Sequence, residues 1–227
     1  MKLLGLIGGT SYHSTLEYYR EINQKVSDVI GSMQNPEMLL YSINIDVMRR
    51  QDKDEINQTY LRVSRNLERS GAEALLICAN TPHMAVDYVQ PKIGIPFLHI
   101  ADAVAKEAKQ KNYRKLLLLG NKPTMTKGFL KDYLADKHQL EIIIPNEKDL
   151  ERSHYFVSKE LTQGKFTKEA KTFYNGLISS HEKDVDAVIL GCTELPILLK
   201  NESNSLPYLS TTDLHIQTAV DFILENN

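Results

Sequence analysis

Two stretches of this 227-residue chain pair a cysteine with polar side chains directly after an apolar run. LLICANTPHM (75–84) carries Cys78, Ala79, an Asn80-Thr81 step, Pro82 and His83, and AVILGCTELP (187–196) carries Gly191, Cys192, Thr193 and Glu194. Two further runs end alike, one in Gly8, Gly9, Thr10 and Ser11, the other in Gly120, Thr124 and Met125. Hydroxyls, amide N–H groups and one thiol at such ends suit a small carboxylate. Cys192 lies past its apolar run, and a helix starting near Thr193 would draw its pKa down toward reactivity. Cys78 sits inside its run and reads as a small core residue. Plainer readings stand beside these: GGTS as a tight turn, Asn80-Thr81 as a helix cap, His83 as a solvated helix residue.

Those ends need strands and helices to position them. Apolar runs at 3–9, 38–45, 74–79, 96–101, 115–120, 141–145, 187–191 and near 207–209 predict strands. Amphipathic stretches predict helices at 14–30 opened by Ser14, 54–70, about 82–90, 102–112, about 126–137, 147–163, 167–182 and from 213 on. Continuous apolar strands separated by helices indicate an α/β protein with parallel sheets covered on both faces. Ligands in such sheets bind beyond the carboxyl ends of strands, where helix N-termini point inward.

With 42% hydrophobic and 25% charged residues the composition is that of an ordinary globular chain. A formal net charge of −2 argues against a broad nucleic-acid-binding surface. No apolar run approaches the roughly 20 residues of a membrane span, and MKLLGLIGG reads as a strand rather than a signal peptide. The expected setting is the cytoplasm, where the two cysteines stay free thiols; their spacing suggests no metal site.

The phrases GAEALLICANTPHM and DVDAVILGCTELPI lie about 113 residues apart, and MKLLGLIGGTS and RKLLLLGNKPT form a second pair at nearly the same separation. Two pairs in one register indicate two related α/β lobes. Their expected extents are 1–95 plus 208–227, and 96–207.

At these residues the chain resembles the aspartate/glutamate racemase superfamily, in its cofactor-independent aspartate racemase-like branch. GLIGGTSYHST (5–15) is similar to the family's opening Gly-Gly-Met-Ser-Trp-Glu-Ser-Thr motif, departing at Thr10, Tyr12 and His13. NTPH (80–83), PFLHIADA (96–103) and GCTELP (191–196) resemble further family motifs in the same order. The resemblance implies two pseudo-symmetric lobes with the active site in the cleft between them, usually in a homodimer. It implies a small amino-acid or dicarboxylate ligand, and neither pyridoxal phosphate nor metal. Such racemases use two facing acid/base residues, most often cysteines, one per lobe. Carried over by position, Cys192 is the catalytic residue, and Thr10, Gln51, Ala79, Asn80, Thr81, Thr124, Thr193 and Glu194 are candidates for substrate binding. Arg49, Arg50 and Lys165 are nearby cations without a motif.

The first catalytic residue of the family belongs immediately before Asn-Thr, where this chain has Ala79. Cys78 is one residue early, and strand alternation turns it away from the site. The expectation is therefore a racemase-like enzyme for aspartate or glutamate using Cys192 on one face, with water or a side chain such as His83 standing in on the other. Two alternatives remain open: a one-cysteine decarboxylase- or isomerase-like enzyme that protonates a carbanion, and a catalytically silent carboxylate-binding protein.

Overall fold

The computed structural model describes residues 1–200 and 205–225; the last two residues of the expected closing helix lie outside them. The chain divides into two compact units. The first takes Met1–His99 and returns from His215 on; the second is Ile100–Leu214. Among the described residues no helix is long and apolar enough to cross a membrane.

The first unit runs β1 (Leu4–Gly8), α1 (Tyr12–Ile30), β2 (Met38–Ser42), α2 (Asp46–Arg49), α3 (Lys53–Arg69), β3 (Ala74–Ile77), a 3-10 turn (Thr81–Ala85), α4 (Val86–Val89) and a second 3-10 turn (Gln90–Lys92). The second unit runs α5 (Ile100–Gln110), β4 (Lys115–Leu119), α6 (Lys122–Thr126), α7 (Lys131–His138), β5 (Glu141–Ile143), α8 (Glu147–Tyr155), α9 (Lys168–Ser180), β6 (Ala187–Leu190), α10 (Leu195–Leu198) and β7 (Tyr208–Ser210). It ends in α11 (Thr211–Leu224), whose remainder belongs to the first unit.

Both sheets are parallel, ordered β2-β1-β3 and β5-β4-β6-β7. The first three strands of each unit thus follow one order, as the repeated phrases predict. Hydrogen bonds repeat too. Glu73 and Asp186, 113 residues apart, each accept backbone N–H groups at the start of the neighbouring strand: Glu73 from Leu3, Asp186 from Arg114 and Lys115. Those two N–H donors hold the Asp186 carboxyl below its ordinary pKa.

Strand alternation divides the first unit's core. Leu4, Leu6, Leu76 and Cys78 pack with Tyr18 of α1 and with Ile216 and Val220 of α11. Ile7, Leu75 and Ile77 pack on the other face with Tyr60, Val63 and Leu67 of α3. Each buried aliphatic side chain contributes about 1.5–3 kcal/mol, so a one-residue slip of β3 would cost several such contacts. In the second unit Leu117, Leu119, Val188 and Leu190 pack with Tyr174 and Ile178 of α9.

Several expectations need correction. Helix α1 starts at Tyr12, capped by Ser11, whose Oγ accepts the Ser14 N–H at 3.3 Å; Ser14 is inside the first turn. The strand expected at 96–101 shrinks to a single bridge between Phe97 and Leu75, because Ile100, Ala101, Val104 and Ala105 form the buried face of α5. The helix expected at about 126–137 breaks at Gly128, whose φ of 46° is left-handed. The one expected at 147–163 passes from α8 into a π turn and a 3-10 turn before the left-handed Gly164. Finally, β2 is an edge strand with Leu40 exposed, so not every strand is covered on both faces.

Candidate active site

In the second unit, β4 and β6 end in Gly120 and Gly191, and these glycines are a packing requirement. A Cβ on Gly191 would sit 2.9 Å from Leu119 O and 2.9 Å from Thr124 Cγ2, and one on Gly120 would lie 3.1 Å from that same methyl. Thr124 thus packs over both strand ends, fully buried, and its Oγ1 has no hydrogen-bond partner. Asn121 caps α6 by accepting the Thr124 N–H at 2.9 Å. Cys192 comes next, its Sγ 2.6 Å from Glu194 Oε2, to which the thiol donates. Thr193 Oγ1 donates to the same oxygen at 2.8 Å.

This geometry overturns the expected thiol acidity. Burial, followed by the Glu194 carboxylate, pushes the Cys192 thiol well above its ordinary pKa. The backbone N–H groups of Glu194 and Leu195 pull the other way but do not prevail. The helix that follows, α10, is only four residues long. Cys192 at rest is therefore a protonated thiol hydrogen-bonded to a carboxylate, able to give its proton only to a strong base such as a carbanion. Glu194 is occupied as the thiol's acceptor.

In the first unit, β1 ends in Gly8 and Gly9. Gly9 has a φ of 92°, and a Cβ there would fall 2.1 Å from Ile43 O, so only glycine fits. Thr10 Oγ1 is 3.0 Å from the Tyr60 hydroxyl, and burial raises the Tyr60 pKa, which keeps that hydroxyl protonated. Beyond β3, the Ala79 N–H bonds Ile77 O at 2.8 Å, curling the chain. Asn80 occupies the N-cap position of the 3-10 turn, yet its side chain makes no capping bond. Its Oδ1 is buried without a partner, a condition that costs about 1–3 kcal/mol until a donor arrives. The cap reading therefore fails. A carboxylate only accepts hydrogen bonds, so the group that satisfies Oδ1 must be an N–H or O–H donor, such as an ammonium. Thr81 is half-buried at the start of the 3-10 turn.

The fate of the two cysteines follows from the backbone. The Cys78 N–H bonds Ile7 O at the end of β1, and the Gly191 N–H bonds Leu119 O at the end of β4. Cys78 and Gly191 are thus counterparts, 113 residues apart, and one step on Ala79 is the counterpart of Cys192. The Cys78 thiol points into the core, where burial pushes its pKa above the usual range. Both cysteines are free.

Other expectations fare unevenly. Gln51 has left-handed backbone (φ 56°) after α2, is exposed, and its Nε2 donates to Met48 O. Arg50 pairs with Asp46 and Glu55, while Arg49 and Lys165 are exposed. His83 is buried at 2% exposure, and its Nδ1 lies 2.9 Å from Ala79 O and 3.0 Å from Asn80 O. It is not solvated, and its Nδ1 is taken up by backbone carbonyls. Ser14, whose Oγ donates to Cys78 O at 2.7 Å, and Tyr60, beside Thr10, carry no sequence signal of a place at the site; Ser14 reads only as a helix start. A groove of about 640 Å³ between α8 and α9, lined by Asp149, Arg152, Lys168, Glu169 and Phe173, shares no residue with these strand ends. Among the described residues no group of three or more His, Cys, Asp or Glu is arranged to hold a metal ion.

A family profile described as Asp/Glu/Hydantoin racemase matches residues 7–219. The structure of a putative Asp/Glu racemase from Yersinia pestis superposes with a TM-score of 0.94 at 36% identity, covering 99% of this chain and 100% of that one. An aspartate racemase homologue from Pyrococcus horikoshii OT3 gives a TM-score of 0.88 at 33% identity, with coverages of 99% and 100%. A broad specificity amino-acid racemase of Bacillus subtilis (strain 168) is 21% identical over 215 residues, 92% of this chain and 93% of the relative.

Proposed function

Because the chain belongs to the Asp/Glu/Hydantoin racemase family, we propose that it is an amino-acid racemase-like enzyme for aspartate or glutamate, with one thiol as its proton carrier and no pyridoxal phosphate. The observation that carries this reading is the Cys192 Sγ–H held 2.6 Å from the Glu194 carboxylate. Removing a Cα proton demands stabilisation of carbanion-like charge by fixed donors and a base of suitable strength. Cys192 and Glu194 serve as a pair. In the forward direction the Sγ proton passes to Glu194 Oε2, and the thiolate so formed takes the Cα proton. In the return direction the thiol gives its proton to the carbanion, and Glu194 restores it to sulfur. Asn80 Oδ1 receives the substrate ammonium, while the Thr10, Thr81 and Thr124 hydroxyls are donors for its carboxylates; the Thr193 hydroxyl, which donates to Glu194, helps hold that carboxylate in place. Gln51 is a substrate contact by its position along the chain alone.

Ala79 sets the limit of this chemistry. A two-base racemase needs a proton carrier on each face of Cα, and a methyl group carries none. Water takes the place of the missing residue, so racemisation of free aspartate and glutamate is slow. The same feature favours a second reading, a one-cysteine enzyme that generates a carbanion by another bond cleavage and protonates it on one face only. The proposal also has the protein act as a cytoplasmic homodimer. Support for pairing comes from Tyr12, Leu16 and Tyr19, apolar side chains standing exposed along α1.

Chiral separation of aspartate and glutamate incubated with wild type and with Cys192→Ser tests the main reading. Slow interconversion by wild type that vanishes in Cys192→Ser is the expected result. Undiminished interconversion in Cys192→Ser would refute it, as would no interconversion by wild type, which would leave the one-cysteine enzyme and the silent carboxylate-binding protein.

A further inference from the structure

A cluster of imidazoles lies buried beneath the Ala79–Asn80 strand end, outside the proton chemistry proposed above. His83, His99 and His215 are 2%, 4% and 0% exposed. The His83 ring meets His99 edge-on at 4.7 Å between centroids and His215 at 5.4 Å; Tyr18 meets His215 edge-on at 5.6 Å. The four side chains come from four places: α1, the 3-10 turn after β3, the segment before α5, and α11.

Their protons can be assigned, because a carbonyl oxygen only accepts. His215 Nε2 is 2.7 Å from Leu98 O and therefore carries hydrogen; the Tyr18 hydroxyl, 3.0 Å from His215 Nδ1, donates to it. His215 is thus neutral, in keeping with burial and the nearby His83, which together press its pKa down to about 3. His83 Nδ1 faces two carbonyls, Ala79 O at 2.9 Å and Asn80 O at 3.0 Å, so it too carries hydrogen and shares it between them.

Past Ile77 the chain leaves the sheet, and its carbonyls need other partners. Cys78 O is met by Ser14 Oγ at 2.7 Å. The next two, on Ala79 and Asn80, are met by His83. Asn80 O also receives the His83 backbone N–H at 3.1 Å. Ala79 O has this ring nitrogen as its donor, and Asn80 O has it beside the His83 N–H, so the His83 side chain helps set the orientation of the Ala79–Asn80 turn and with it the direction of the unpartnered Asn80 Oδ1. We infer that His83 is a positioning residue whose Nδ1–H locks the Ala79–Asn80 turn for ligand binding, the packed rings of His99 and His215 holding the imidazole in place. This inference rests on the reading of Asn80 as a substrate contact.

Amide geometry supplies a discriminating pair of variants. In His83→Asn the side-chain nitrogen falls where Nδ1 was; in His83→Gln it falls where Nε2 was. Both are neutral and polar, so a general tolerance for polar side chains treats them alike. Three measurements are made on the full chain: amide hydrogen exchange at Ala79, Asn80 and Thr81, aspartate affinity, and kcat and KM for racemisation. His83→Asn should stay within about threefold of wild type, whereas His83→Gln and His83→Leu should speed exchange and weaken affinity about tenfold, the worth of one lost hydrogen bond. Nitrogen NMR of the histidines at neutral pH should find hydrogen on Nδ1 of His83 and on Nε2 of His215. Equal behaviour of the Asn and Gln variants, or hydrogen on Nε2 of His83 alone, would overturn the inference. Exchange and NMR need no turnover, so if wild type neither binds nor racemises aspartate, the functional reading fails while the lock is still tested.

Discussion

The ends of β3 and β6 occupy the same place in two related units and have come to hold different chemistry. After β6 the counterpart position is Cys192, its thiol proton directed at Glu194. After β3 it is Ala79, half-buried, with a cysteine displaced one residue into the core at Cys78. Both ends keep their carbonyls satisfied by side chains: Thr211 Oγ1 on Leu190 O at 3.1 Å in one, Ser14 and His83 in the other. The scaffold of both ends is therefore intact, and the difference lies in one reactive group. A strand end built with this much hydrogen bonding but no proton carrier fits the binding role proposed for it.

The largest expected effect comes from the end that has the thiol. Cys192→Ser should reduce turnover by about 10² to 10⁴, the usual worth of a positioned acid or base, while aspartate binding measured by calorimetry persists. Ala79→Cys attacks the contrast from the other side. It should raise racemisation of aspartate or glutamate by up to about 10² to 10⁴ if it restores the second carrier, read by chiral chromatography; no gain would mean that position 79 does not reach the substrate.

Glu194→Gln sharpens the account of the thiol. Burial and the Glu194 carboxylate raise the Cys192 pKa, so removing that negative charge must lower it. The onset of alkylation should move to lower pH, with the rate at pH 8 rising by about tenfold for each unit of pKa lost. An onset at higher pH would mean that the carboxylate was helping to deprotonate the sulfur at rest.

A smaller effect belongs to His215. Its folded pKa of about 3 lies below the ordinary 6.5, so the neutral ring contributes stability above pH 6.5 that is lost as the pH falls toward 3. Urea denaturation should show wild-type stability declining over that window and a flatter profile for His215→Gln. The smallest change is expected from Cys78→Ala, which should leave turnover nearly untouched and cost about 1 kcal/mol or somewhat more in stability through lost core packing.

How much of this was legible in the sequence differs by level. The alternation of apolar runs and helices revealed the parallel sheets, and the repeated phrases revealed the two units. The turn of Cys78 into the core followed from period-two alternation. What stayed hidden depends on residues far apart in the chain. The direction of the Cys192 pKa is set by burial and by a carboxylate two residues on, whereas a helix-dipole reading of GCTELP predicts the opposite sign. His83 reads as solvated because a single histidine carries no trace of His99 and His215, which only folding places beside it. PFLHIA looks like a strand because a buried helix face and a buried strand share the same apolar residues over so short a span.

Solvent deuterium entering Cα tests the central contrast most directly. L- and D-aspartate, and L- and D-glutamate, are incubated separately with wild-type protein in deuterium oxide, and label in the recovered substrate is followed by mass spectrometry. With one thiol-bearing strand end and one bearing Ala79, exchange should be fast from one enantiomer and far slower from the other, and Ala79→Cys should bring the two rates together. Equal, rapid exchange from both enantiomers by wild type would contradict the account and would mean that a second proton carrier works in this protein despite Ala79.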